Sequence, residues 1–168
     1  GSRTTLAAIV SKLSLLPTLG GRTIVGVRSS TSVIGEPVSN KNRNPTDPTR
    51  LKRVAIVISN AAVSTTTGWP VGFWWSELTH PLFHFTEAGY EVEVASPNGG
   101  ACHADATSDP EDPSQWQAED VISRGYKHDP EFVKVVDNTK PVADLDIDRF
   151  DAIVVTGGQG PMFTFDQA

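Results

Sequence analysis

Asp151 to Gly160 reads DAIVVTGGQG. Its apolar centre, Ala152 to Val155, is a continuous run. Such a run predicts a buried strand, not the alternation of a half-exposed one. Gly157-Gly158 then turns the chain, and glycine permits backbone conformations closed to other residues. A strand that feeds a glycine turn in an α/β domain is normally followed by a helix and further strands. Here Pro161-Met162-Phe163 follows, and the sequence runs to Ala168. The expectation is the front part of an α/β domain, with an active site incomplete within this sequence.

The same kind of run recurs upstream. Arg53 to Ser59 (RVAIVIS) predicts a first buried strand, and Asn60 to Gly72 the loop at its carboxyl end. Phe73 to Glu87 has helical spacing, with Trp74, Leu78, Leu82 and Phe85 on one face. Ala88-Gly89 stops that helix. Tyr90 to Ala95 (YEVEVA) alternates and predicts the second strand, and Ser96 to Gly100 a turn. Ala101 to Gln117, with Pro110 and Pro113, is a long excursion. Glu119 to Val136 predicts helix broken near Gly125 and Pro130. Asp144 to Asp148 is a short turn with Ile147 and Phe150 available to pack, and Phe150 to Thr156 is the third strand. This order gives an open parallel sheet with right-handed crossovers and helices on both faces. Sites in such sheets lie at the carboxyl ends of the strands, where residues 60–72, 96–103 and 156–161 meet.

Charge divides the chain. Residues 1–50 carry seven Lys/Arg and two acids, and the remainder seven and eighteen. An acidic body argues against nucleic acid as the main partner. Residues 1–50 read as an N-terminal extension and linker, and residues 51–168 as the N-terminal part of the domain. Thr5 to Leu16 (TLAAIVSKLSLL) has the pattern of a short amphipathic helix, and Asn40 to Thr49 (NKNRNPTDPT) that of a linker. The basic, Ser/Thr-rich start suits a packed extension or a targeting leader. The expected compartment is therefore the cytoplasm, with organellar targeting as the alternative. No apolar run reaches the roughly 18 residues of a membrane span, so no membrane partner is expected. A single cysteine, Cys102, excludes an intrachain disulfide and a Cys-rich zinc site.

Glu77 lies early in the first predicted helix, beside the loop after the first strand. A carboxylate there can project over the sheet's carboxyl edge and serve as a general acid/base; the plainer reading is a solvated surface glutamate. Gly157-Gly158 can present backbone N–H groups to an oxyanion; the plainer reading is a tight turn. Trp69 and Trp74, with Phe73 and Trp75, can wall a pocket or pack in a core. His80 and His84 stand at i and i+4, but Pro81 removes the HExxH pattern, and no metal is expected. Cys102 beside His103 suggests a dyad, but adjacent side chains seldom converge, and a loop thiol is the plainer reading.

Gly72 to Gly100 (GFWWSELTHPLFHFTEAGYEVEVASPNGG) and Phe150 to Phe165 (FDAIVVTGGQGPMFTF) together resemble the ThiJ/PfpI superfamily, whose fold is shared with class I glutamine amidotransferases. Asp109-Pro110 and Asp112 to Trp116 (DPSQW) resemble an insert of its larger branch, which holds heat-shock chaperones and glyoxalase III enzymes. The resemblance spans about Arg53 to Asp166. It implies a flavodoxin-like three-layer sandwich, incomplete in this chain, and a cysteine nucleophile on a strand-to-helix elbow beyond residue 168. The family glutamate maps onto Glu77, and the backbone oxyanion donor onto Gly157-Gly158. Many relatives have histidine where this chain has Gln159, whose amide cannot titrate.

The resemblance implies an enzyme acting on small reactive carbonyls once completed by a complementary C-terminal polypeptide segment, with no organic cofactor. The alternatives are a non-catalytic chaperone-like or binding protein of the same fold, an amidase or peptidase, and a glutamine amidotransferase-like hydrolase. Homodimerisation is left open.

Overall fold

The structure, a computed structural model, describes residues 40–165. The helix expected over Thr5 to Leu16 and most of the N-terminal extension lie outside the described residues. In chain order the elements are β1 (Arg53–Val57), β2 (Ala62–Val63), β3 (Pro70–Val71), α1 (Trp75–Glu87), β4 (Glu91–Ser96), α2 (Val121–Lys127), α3 (Pro130–Asp137), β5 (Lys140–Pro141), β6 (Ala152–Val155) and α4 (Pro161–Thr164).

β1 is the centre of the sheet, as its unbroken apolar run requires. It pairs in parallel with β4, from Arg53 opposite Glu91 to Val57 opposite Ala95. On its other side it pairs in parallel with β6, from Val54 opposite Ala152 to Val57 opposite Val155. The order β5-β4-β1-β6 with flanking helices makes an α/β sheet of flavodoxin-like type. β5 was not expected: Lys140 and Pro141 carry no strand signal, and only the adjacent edge of β4 recruits them.

α1 begins two residues later than its apolar spacing predicts. Phe73 is held in extended pairing with Ala104, through Phe73 N–H to His103 O at 3.1 Å and Asp105 N–H to Phe73 O at 2.8 Å. Trp74 is therefore extended, with φ −94° and ψ 127°, and cannot share the helix face. Trp75 takes the buried place, beside Leu78. Phe73, Trp75 and Phe132 form a chain of ring contacts, with centroids 5.6 and 6.0 Å apart. With Val54, Ile56, Ile58, Val94 and Val136 these rings make the core between sheet and helices. Gly89, at φ 78°, ends the helix as its sequence predicts.

The break between α2 and α3 falls at His128–Asp129, while Gly125 lies within α2. Asp129 accepts from Glu131 N–H at 3.0 Å and Pro130 occupies the first turn, so a capped start sets the boundary and a lone glycine does not. Ile147 does not pack: it is exposed on a short 3-10 turn.

Residues 41–50 carry the composition of a linker, yet they are fastened to the domain. Asp151 gathers the Arg53 N–H at 2.8 Å, Arg50 Nη1 at 2.9 Å and the Asn44 side-chain amide. Burial opposes ionisation of Asp151, but these donors outweigh it and hold its carboxyl below the usual range. β6 lies at the sheet's edge among the described residues, with Val155 42% exposed, so this strand is less buried than its composition predicts.

Candidate active site

The three segments expected at the carboxyl ends of the strands do meet. Asn60 Nδ2 donates to Ser96 Oγ at 3.1 Å and to Gly99 O at 3.0 Å, joining the loops after β1 and β4. Gly160 N–H donates to Gly72 O at 2.8 Å, joining the turn after β6 to the residues before α1.

Glu77 stands in the first turn of α1, where the positive end of the helix dipole favours a carboxylate. It is exposed, as the plainer reading holds, but it is not idle: Oε2 accepts the Gly157 N–H. The turn after β6 then commits its amides one by one. Gly157 donates to Glu77, Gln159 donates to Asp105 Oδ2 at 2.7 Å, and Gly160 donates to Gly72 O. Among the described residues the Gly158 N–H has no hydrogen-bond partner. Of the two glycines named as oxyanion donors, Gly157 is thus already engaged and Gly158 is open.

Gly158 adopts φ 105°, where a side chain is strained. A Cβ there would meet the Gly72 carbonyl oxygen at 2.7 Å and the Trp74 amide nitrogen at 2.9 Å. The turn therefore packs closely against the residues that open α1, and its unpartnered amide is the one donor of the turn left for a developing negative charge.

Gln159 is exposed and turns its backbone, not a titrating group, toward Asp105. Trp69 is 68% exposed on the β2–β3 ribbon, and Trp74 is half-buried. None of these three lines the groove of about 300 Å³ between Phe73, Trp75, Cys102, His103, Asp105 and Asp109. Cys102 is buried in the core, with its thiol 3.6 Å from Thr139 Oγ1 and 3.7 Å from Asn60 Nδ2. His103 is exposed and contributes its carbonyl to Phe73. His80 Nε2 lies 2.9 Å from Asp120 Oδ1, which also caps α2, so it joins two helices. Among the described residues no group of three or more His, Cys, Asp or Glu side chains is placed to hold a metal ion.

Asp105 was missed by sequence reading. It lies in an excursion without periodicity, and its one local signal is the Asp-x-x-Ser spacing to Ser108, which also occurs in ordinary turns. Ser59 Oγ and Thr156 Oγ1, at the ends of β1 and β6, are buried without partners among the described residues.

No protein-family profile and no curated protein matches the chain. Solved structures do match. The 24 kDa Rapid Encystment Protein of Francisella tularensis is 26% identical, with a TM-score of 0.59, over 70% of this chain and 49% of that one. Glyoxalase III from Candida albicans is 24% identical, with a TM-score of 0.56, over 69% and 47%, a likeness of fold. A third solved structure is 33% identical, with a TM-score of 0.52, over 69% and 46%. The chain spans about half the length of the solved chains it matches.

Proposed function

Because this chain carries a ThiJ/PfpI-like fold, we propose that it is part of an enzyme acting on small reactive carbonyls, of the glyoxalase III or deglycase kind. Its cysteine nucleophile lies outside this sequence. The observation that carries the reading is the contact of Glu77 with Gly157 beside the open Gly158 N–H. Cys102 is a poor rival, since the residue is 3% exposed and its thiol packs against Thr139 and Asn60.

With methylglyoxal the chemistry runs through a thioester. A thiolate adds to the aldehyde carbon; a C–S bond forms and the π electrons pass to oxygen, whose charge the Gly158 N–H stabilises. Glu77 removes the proton from that carbon and returns a proton to the neighbouring carbon, leaving a lactoyl thioester. Water then displaces the thiolate and gives lactate. Gln159 cannot titrate, so the proton transfer falls to Glu77.

The complementary C-terminal segment docks at the edge of β6. The exposed apolar Val155 on that strand supports this. A parallel strand there would cover the edge; a second copy of the chain is the alternative cover. No helix among the described residues is long and apolar enough to cross a membrane. We assign the enzyme to the cytoplasm, with residues 1–50 as the segment whose deletion tests organellar targeting.

The test has two parts. Denaturing intact mass on purified material should show a second polypeptide that contains a cysteine. The pair should form lactate from methylglyoxal without glutathione, and Glu77→Gln should lower kcat by about 10²–10⁴-fold. A lone 18.0 kDa species without lactate formation would refute the proposal. One observation favours a second, chaperone-like reading: Val63 and Trp69 are both exposed on the β2–β3 ribbon. Suppression of client aggregation that is lost in Trp69→Ser would support it.

A further inference from the structure

We propose that Asp105 is a positioning residue, whose buried carboxylate fixes the Gly157–Gly160 turn so that the Gly158 N–H stays open toward substrate. Its consequence for turnover rests on the function proposed above.

Asp105 is 2% exposed. A carboxylate so buried is costly unless its oxygens are hydrogen-bonded. Here each oxygen serves a different segment. Oδ1 accepts the Gly72 N–H at 2.9 Å, just before α1, and Oδ2 accepts the Gln159 N–H at 2.7 Å, just after Gly158. Such charge-assisted bonds are short and directional. The carboxylate therefore ties the two segments that bring Glu77 and Gly158 together.

Its own backbone is equally fixed. Asp105 N–H donates to Phe73 O at 2.8 Å. Ser108 Oγ donates to Asp105 O at 2.7 Å and accepts the Trp75 N–H at 3.1 Å. Asp105 is thus referenced to the start of α1, two residues before Glu77. Glu77 takes the amide on one side of Gly158 and Asp105 the amide on the other. With both neighbours committed, the peptide carrying the Gly158 N–H cannot rotate without breaking a charge-assisted bond. A donor displaced by about 1 Å costs about 10²-fold in rate.

The experiment uses this chain with its complementary segment and compares Asp105→Ala, Asp105→Asn and Ser108→Ala. The first removes both acceptors. The second keeps the shape and one acceptor. The third loosens the loop but leaves the carboxylate in place. Amide hydrogen exchange at Gln159 is read alongside kcat and KM for methylglyoxal. In Asp105→Ala, exchange at Gln159 should rise at least about tenfold, and kcat should fall about 10- to 100-fold with KM within about twofold. Asp105→Asn should fall between this variant and the unmodified protein, and Ser108→Ala, which keeps both carboxylate bonds, should lose less kcat than Asp105→Ala. Equal kcat losses in Asp105→Ala and Ser108→Ala, or unchanged exchange at Gln159 in Asp105→Ala, would overturn the proposal. Should both Asp105 variants fail to fold, the unmodified protein decides: a trans-hydrogen-bond coupling between the Gln159 amide nitrogen and the Asp105 carboxyl carbon supports the role, and its absence overturns it. If the unmodified protein turns over no α-oxoaldehyde, the function reading fails, and the hold of Asp105 on the turn is decided by exchange alone.

Discussion

Replacing Gly158 by alanine tests how tightly the turn after β6 is held against α1. The residue has φ 105°, and forcing a side chain into such a region costs about 1–3 kcal/mol. The new Cβ would meet the Gly72 oxygen at 2.7 Å and the Trp74 nitrogen at 2.9 Å, and both are backbone atoms that cannot swing aside. Relief requires the turn to move away, which breaks the 2.8 Å bond from Gly160 N–H to Gly72 O at about 1 kcal/mol. The total is about 2–4 kcal/mol, which at a urea m-value of about 2 kcal/mol per M lowers the midpoint by about 1–2 M. Gly100→Ala is the control. Gly100 has φ 74° with nothing within 4 Å of the added Cβ, so it bears backbone strain of about 1–2 kcal/mol and no collision. Urea unfolding of both variants, with lactate formation as a second readout, separates strain from collision. Turnover in Gly158→Ala should fall about 10²-fold, as for a lost oxyanion donor. A Gly158→Ala midpoint equal to or above that of Gly100→Ala would refute the close approach of the turn to α1.

Two further outcomes follow from the same geometry. Cys102→Ser should leave lactate formation within about twofold, because the thiol is buried against Thr139 and Asn60 and a hydroxyl can bond the same neighbours; loss of turnover would make Cys102 the nucleophile. Asp151 has a lowered pKa in the folded chain, so its stabilising contribution is present above about 3.8 and is lost as pH falls through the lowered value. Asp151→Asn should therefore reduce stability at pH 7 and flatten its loss below about pH 4. Urea midpoints measured at both pH values check this, and parallel pH profiles in the two proteins would count against it.

β1, α1 and β4 were legible because each declares itself locally. RVAIV lacks polar interruption, the helix has apolar spacing, and YEVEVA alternates. The glycine turn after β6 was legible for the same reason, but its contact with Glu77 was not. What the sequence could not give was which of its groups touch. Spacing puts Trp74 on the apolar face, and only the pairing of Phe73 with Ala104 gives that place to Trp75 instead. Gly157 and Gly158 are equivalent as donors, and only the reach of Glu77 leaves Gly158 open. Residues 41–50 have the composition of a linker, and a contact with Asp151, a hundred positions along the chain, gives them a place. Asp105 belongs to no pattern, because the amides it binds at Gly72 and Gln159 lie 33 and 54 residues away. Local free energies write periodicity into the sequence and thereby determine the elements. Contacts between distant segments leave no periodic trace, so the partners of each polar group were decided only when the chain folded.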